Sequence, residues 1–233
     1  AISIAEKLSL IENYKIITSL AGVTQKPRLP IGKAHIGGFG GREGLINFLE
    51  ANKINLIVDA THPFSTQIKE NAIFASNELS VPIIHFVRNQ WKMEIGDKWH
   101  MVDNLPEASN KLRELSSTRK LKVFLTVGRK GLADFADILN SKFVIRSIEK
   151  PSALEGFSRA EWIEGRGPFS FDNELKLLQQ EQIDIIVTKN SGGLSGKAKL
   201  LAARTLGLPV ILVRQPPRPL GAKFNSIEGI VEL

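Results

Sequence analysis

The residues best suited to chemistry in this chain stand in five short strings rich in glycine, small hydroxyls and single cations. They read Thr18–Thr24 (TSLAGVT), Gly37–Gly41 (GGFGG), Asp59–Ser65 (DATHPFS), Thr126–Arg129 (TVGR) and Thr188–Gly193 (TKNSGG). Glycine lets backbone N–H groups approach phosphate oxygens, and a helix starting just beyond adds partial positive charge. Gly37–Gly41 and Ser191–Gly193 have that form. Glycines also make plain tight turns, and neither string matches G-x-G-x-x-G or the Walker pattern. In Asp59-x-x-His62-Pro63 a carboxylate and an imidazole share one strand end, where proton transfer or ligand polarisation is possible. The same residues equally suit a structural turn, with Asp59 bonding nearby backbone and Pro63 opening a helix. Arg129, Arg166 and Lys189 each sit beside glycine or a strand end, as fixed cations that recognise carboxylate or phosphate do. Three of them from separate segments point to an anion-binding cleft. His35, His85 and His100 lie in or beside strands with no partner at ligand spacing, so packing or a surface position is expected of them and no metal site is expected.

Regular elements must position these strings. Short apolar or β-branched runs predict strands at Lys15–Leu20, Ile54–Ala60, Val81–Val87, Leu121–Val127, Lys142–Ile148, Ile183–Thr188 and Val210–Val213. Apolar residues at three- and four-residue spacing predict helices over Ile2–Ile11, Glu43–Asn52, Ser65–Leu79, Pro106–Leu115, Leu132–Asn140, Asp172–Glu181 and Lys197–Leu206. Strand–helix alternation predicts parallel sheets, and the uniformly apolar runs around Ile57, Phe124 and Ile186 predict strands covered by helices on both faces. Ligands of such folds bind beyond the carboxyl ends of the strands, where the glycine-rich strings stand. The irregular stretch Arg88–Asn104 reads as a crossing between two α/β units, and Gln215–Pro219 as a rigid surface loop.

With 233 residues, 42% hydrophobic and 24% charged, the chain is long and apolar enough for one or two packed domains, which excludes a disordered protein. No apolar run approaches the roughly 18 residues of a membrane span. The absence of cysteine excludes disulfides, thiolate zinc sites, iron–sulfur clusters and a thiol nucleophile, and it suggests a cytoplasmic protein. Glu6 and Lys7 interrupt the opening apolar residues, unlike a signal peptide. A net charge of +7 and a pI near 9.6 imply an anionic partner: nucleic acid, membrane surface, nucleotide cofactor or polycarboxylate. Lys111, Arg113, Arg119, Lys120 and Lys122 form the densest basic group and read as a solvated face. The remaining basic residues are expected on exposed helix faces.

Taken in order, TSLAGVT, GGFGGREGL (Gly37–Leu45), DATHPF (Asp59–Phe64), Gly128-Arg129, RGPF (Arg166–Phe169) and KNSGG (Lys189–Gly193) resemble the precorrin-6A reductase family of cobalamin biosynthesis along nearly the whole chain. The resemblance implies an α/β protein of two Rossmann-like domains with parallel sheets flanked by helices and an active-site cleft between them. Residues 1–100 would bind NADPH, and residues 101–233 would complete the substrate cleft. The implied reaction is NADPH-dependent reduction of one macrocycle double bond in precorrin-6A, giving precorrin-6B; related enzymes take the cobalt form. Cofactor contacts are implied for Ser19, Ala21, Gly22, Thr24, Gly38, Phe39, Gly40, Thr61, Phe64, Ser65 and Gly128. Substrate contacts are implied for Arg129, Arg166, Lys189, Asn190, Ser191, Gly192 and Gly193. His62 and Lys189 are candidate catalytic residues, delivering a proton or stabilising charge on the ring. The implied partner is a polycarboxylate tetrapyrrole, with neither nucleic acid nor membrane, and a monomer is expected. The family begins with a short strand and a GGT-type loop that would precede Ala1. It often has arginine at the position of Val23, for which Lys26 or Arg28 would substitute.

Two other classes compete. Sugar-nucleotide reductases and epimerases use a Tyr-x-x-x-Lys pair, but four residues beyond Tyr14, the sole tyrosine, stands Thr18. A nucleic-acid-binding α/β module would interleave basic and aromatic residues, yet aromatics are 7% and no such stripe is present.

Overall fold

Apolar runs and turn residues divide the chain into eleven strands and seven helices among the described residues, 1–22 and 29–232 of a computed structural model. In order they are α1 (Ile2–Leu8), β1 (Ile17–Leu20), β2 (Lys33–Ile36), α2 (Gly41–Ala51), β3 (Ile57–Asp59), α3 (Thr66–Leu79), β4 (Ile83–Phe86), β5 (Lys98–Val102) and α4 (Leu105–Ser116). There follow β6 (Leu121–Thr126), β7 (Ser141–Ser147), β8 (Ala160–Glu164), α5 (Phe171–Gln180), β9 (Ile185–Lys189), α6 (Lys197–Leu206), β10 (Pro209–Val213), β11 (Ala222–Phe224) and α7 (Glu228–Val231). The chain folds as two units, Ala1–Arg88 with Pro217–Leu233, and Asn89–Pro216.

In the first unit β1 and β2 pair in parallel, with Thr18 opposite Ala34. A separate parallel sheet runs β11-β4-β3. Alternation along β3 and β4 sends Ile57 and Ile83 into a core with Leu45, Leu49, Ala72 and Ala75 of α2 and α3. Their neighbours Val58 and Ile84 enter a second core with Ile4 and Ile230. Both faces of these strands are thus covered, as the apolar run around Ile57 predicts for β3.

The second unit holds a six-stranded parallel sheet in the order β5-β10-β9-β6-β7-β8. Phe124, Val144, Ile186 and Val210 form one apolar row, packed with Leu178 of α5 and with Leu200 and Ala203 of α6. Val123, Leu125, Ile145, Val187 and Ile211 point the other way and are equally buried. Asn104 caps α4 by accepting from Glu107 N at 2.8 Å, while the Glu107 carboxylate reaches back to Asp103 N at 2.9 Å.

Several expectations need correction. Leu132–Asn140 is not an α-helix but contains a 3-10 turn at Ala133–Phe135. Its buried residues Leu132, Phe135 and Ile138 recur every three residues, which is the period of a 3-10 helix. The irregular stretch 88–104 contains β5, and β2, β8 and β11 lie outside the expected strands. All four are edge strands or short partners without a continuous apolar run. The units divide at Arg88–Asn89 rather than near residue 100. The proline-rich loop 215–219 then returns the chain to the first unit, where β11 pairs with β4 and Ile230 joins Ile4 and Ile84. The basic group from Lys111 to Lys122 does lie on a solvated face, with Arg113, Arg119 and Lys120 exposed and Lys111 and Lys122 half-buried, and it forms ion pairs there: Lys111 with Glu114, Arg113 with Asp137, Arg119 with Asp184 and Lys122 with Glu181. Lys199, expected on an exposed helix face, is buried. No described helix is long and apolar enough to cross a membrane.

Two residues beyond the apolar row, the same face of the second sheet turns polar at its carboxyl end, with Thr126 opposite Thr188 and with Arg146 on the neighbouring strand. The Arg146 guanidinium meets Glu174 of α5 through two hydrogen bonds, at 2.7 and 3.2 Å, and lies 4.8 Å over the Phe124 ring. Arg146 and Glu174 side chains are 8% and 2% exposed, so each neutralises a charge that water does not reach. Glu174→Gln keeps the volume and strands the arginine; urea unfolding should show a stability loss of about 3–5 kcal/mol.

Candidate functional site

The carboxyl ends of the parallel strands carry the polar residues of both units. In the first unit the strings after β1 and β2 meet backbone to backbone: Gly37 N donates to Leu20 O at 2.9 Å. Gly22 has φ +65°, and a Cβ there would stand 3.1 Å from Gly37 Cα, so only glycine permits this approach. Ser19, Ala21 and Gly22 are thereby brought beside the start of the second string, Gly37–Gly41. Side chains built on Gly37, Gly38, Gly40 or Gly41 would meet nothing within 4 Å, so this backbone faces open space. Gly40 precedes α2, whose first N–H groups receive no side-chain cap. Phe39 is fixed by stacking on His35, ring centroids 4.6 Å apart, and by an edge contact with Phe48 at 5.0 Å. A Cβ on Gly44 would lie 1.6 Å from Phe39 O, so glycine there is what lets α2 close onto the loop. Thr24, with Val23, Lys26 and Arg28, lies outside the described residues.

Asp59 ends β3 and organises the loop that follows. Its Oδ1 accepts from Thr61 N at 3.0 Å and Thr61 Oγ1 at 2.6 Å; its Oδ2 accepts from Lys69 Nζ at 3.0 Å. Lys69 Nζ also donates to Thr61 Oγ1 at 2.7 Å. His85 Nδ1 stands 2.9 Å from Asp59 Oδ2, and since an ionised carboxylate only accepts, the imidazole donates there. His85 is packed in the interior, and the sequence did not announce its polar partner: β3 and β4 place Asp59 and His85 opposite each other. Burial alone would raise the Asp59 pKa, but hydrogen bonds from Thr61 and His85 and the Lys69 charge outweigh it and hold the carboxyl below its ordinary value. His62 is exposed on the loop this cluster anchors, and its Nδ1 accepts from Phe64 N at 3.3 Å. In the neutral ring that leaves the proton on Nε2. Phe64 and Ser65 lie beside it, Ser65 N donating to His62 O at 2.9 Å.

In the second unit Gly128 follows β6 with φ 81° and ψ 162°, a conformation essentially reserved for glycine, and it too faces open space. Arg129 beside it reaches Glu149 Oε2 at 3.4 Å. Lys189 closes β9; burial lowers its pKa and the negative charge of Asp134 partly restores it. Asn190 is fully buried, and its amide is committed to Trp91, accepting from the backbone N at 2.9 Å and donating to the backbone O at 3.0 Å. The Trp91 indole N–H donates to Gly193 O at 2.8 Å, and a Cβ on Gly196 would sit 2.7 Å from the indole ring. Trp91 thus straps down the loop that presents Ser191, Gly192 and Gly193. Nothing near Trp91 in the sequence signals this, because its partners lie 99 and 102 residues away. Arg166 is exposed, and Phe169 of the same string lies 3.7 Å from the Arg146 guanidinium, tying that string to the buried ion pair. Among the described residues no group of three or more His, Asp or Glu side chains is placed to hold a metal ion.

The chain matches the family described as precorrin-6x reductase CbiJ/CobK over residues 1–233. A precorrin-6A reductase of Rhodococcus erythropolis is 40% identical over 217 residues, which is 93% of this chain and 86% of that protein. One from Rhodobacter capsulatus is 34% identical over 220 residues, 94% and 86% of the two chains. A cobalt-precorrin-6A reductase of Priestia megaterium is 29% identical over 200 residues, 82% and 76% of the two. A solved structure titled CobK precorrin-6A reductase superposes with a TM-score of 0.91 at 33% identity, covering 99% of this chain and 90% of that one. The chain therefore belongs to the precorrin-6x reductase CbiJ/CobK family.

Proposed function

We propose that this chain is an NADPH-dependent oxidoreductase that reduces one carbon–carbon double bond of precorrin-6A to give precorrin-6B, in assembly of the cobalamin ring. Family membership carries the reading, and the identity of 40% to a named precorrin-6A reductase, against 29% to a cobalt-precorrin-6A reductase, favours the metal-free substrate. The open Gly37–Gly41 backbone ahead of the uncapped α2 fits the phosphates of a dinucleotide, since no side chain fills the space before its N–H groups. Ser19, Ala21 and Gly22, held beside it, meet the ribose and its phosphate. NADPH, when bound, supplies the hydride.

The remaining work falls to the chain's own side chains. Thr61, Phe64 and Ser65 orient the reactive ring of the cofactor from the loop that Asp59 fixes. Arg129, Arg166 and Lys189, with the backbone of Ser191–Gly193 and Gly128, receive a ring bearing carboxylates. Asn190 acts through Trp91, keeping that backbone in place. A hydride adds one hydrogen and both electrons, so one proton completes the reduction. His62 carries a proton on Nε2 and Lys189 carries an acidified ammonium, the two groups suited to deliver it.

Calorimetry on the full chain should show NADPH binding about tenfold or more tighter than NADH, reflecting one further charge-assisted contact. Failure of NADPH to bind, or of precorrin-6A to be reduced, would sink the reading. Because burial lowers the Lys189 pKa from 10.5, its charge is lost earlier as pH rises than that of an ordinary lysine. The precorrin-6A KM should therefore climb with pH below the ordinary lysine range, and Lys189→Met should flatten that climb. Asp59→Ala leaves Lys69 and His85 without their shared carboxylate and should cost about 3 kcal/mol in urea unfolding near neutral pH. The Asp59 pKa is depressed on folding, so its contribution is present above the unfolded value of about 3.9 and lost as pH falls through the folded one. The gap between wild type and variant should close in acid.

A further inference from the structure

The buried cation that this scheme leaves unused is Lys199, in the first turn of α6. It is 9% exposed, and its ammonium makes one hydrogen bond, to Thr126 Oγ1 at 3.0 Å, with no ion pair among the described residues. Two physical terms oppose a lysine there. Its charge is withdrawn from water, and it lies at the positive end of a helix dipole, where cations are disfavoured. Burial lowers its pKa to about 8, with Arg146 pushing further down and Glu174 pulling up, so the group is still largely charged at neutral pH.

The local charges do not balance. Arg146 from β7 and Glu174 from α5 satisfy each other through two hydrogen bonds, which leaves the Lys199 charge uncompensated. Thr126 Oγ1 lies between that charge and a second hydroxyl, Thr188 Oγ1 at 2.9 Å. Thr126 is only half-buried and ends β6, immediately before Val127 and the open Gly128. A cation with unused N–H groups and a hydroxyl pair, gathered at a strand end, is a donor set for one singly charged oxyanion. A phosphate dianion would overshoot the single surplus charge.

We propose that Lys199 and Thr126 form a subsite at the carboxyl end of the second sheet that takes one peripheral carboxylate of a tetrapyrrole. One carboxylate oxygen accepts from the Lys199 ammonium and the other from a threonine hydroxyl, bringing two cations against two carboxylates. The inference rests on the substrate class proposed above and adds a binding residue to it.

The test titrates uroporphyrin, a stable polycarboxylate tetrapyrrole, into the full wild-type chain and into Lys199→Met, with NADPH titrated separately into both. Methionine keeps the length of the stem and removes the charge. Uroporphyrin affinity should fall about tenfold at pH 7, the loss of one charge-assisted hydrogen bond, while NADPH affinity and the thermal midpoint are retained. Equal uroporphyrin affinity in the two proteins, or none in the wild type, overturns the subsite. Should Lys199→Met fail to fold, the wild type labelled with 13C-lysine gives a second measurement. The Lys199 side chain should titrate at higher pH with uroporphyrin bound, because an adjacent anion favours the ammonium, and an unmoved titration overturns the proposal. Wild-type turnover of precorrin-6A without a Lys199→Met effect on its KM strikes the subsite alone. Absent turnover with the uroporphyrin effect intact strikes the functional reading alone.

Discussion

Parallel pairing is the constraint from which the rest of this molecule follows. A strand with partners on both edges and helices over both faces has no wet side, so Phe124, Val144 and Ile186 occupy one continuous apolar layer. Polar chemistry is then confined to the strand ends. The second sheet shows the change within two residues, from Phe124 to Thr126 along β6 and from Val144 to Arg146 along β7. The same rule puts Asp59 on the last residue of β3 and Lys189 on the last residue of β9.

Because these end residues are still partly buried, each polar group there needs an internal partner. Asp59 finds three, in Thr61, Lys69 and His85, and uses them to fix the loop that presents His62. Arg146 finds Glu174 and two aromatic rings. Asn190 exchanges its amide with the Trp91 backbone. In all three cases a buried polar contact holds an exposed segment in one shape, which is the supporting role that positioned ligand contacts require. Lys199 departs from the pattern, since its charge has no counter-charge in contact.

How much of this could be read from the sequence depends on whether the signal was local. The runs around Ile57, Phe124 and Ile186 declare strands by their own composition, and the glycine-rich strings mark their ends. Leu132, Phe135 and Ile138 were legible as buried but not as a 3-10 turn, because spacings of three occur in α-helices as well. β5 and β11 draw their order from neighbours far away in the chain: the alternation of Trp99 and Met101 with Lys98 and His100 covers a single short strand, and Ala222–Phe224 is shorter still. Contacts such as Asp59 with His85 or Trp91 with Asn190 depend on register and topology, and a single sequence states neither. Lys199 looked like any lysine in an amphipathic helix, because helical phase alone did not tell which turn would meet the threonine pair.

The return of residues 217–232 to the first unit has a consequence for the order of assembly. All six strands of the second sheet lie between residues 98 and 213, so that unit can close as soon as its own stretch of chain has left the ribosome. The first unit, although it is synthesised earlier, cannot add β11 beside β4 or seat Ile230 against Ile4 until residues beyond 220 emerge. Phe224 stands 138 residues beyond its partner Phe86 (224 − 86), most of them the intervening unit Asn89–Pro216, and the entropic cost of that closure falls once the intervening unit has folded. The unit synthesised earlier is therefore the later of the two to be completed, and until then it exposes the β4 edge and the apolar seat of Ile230 to whatever else is nearby.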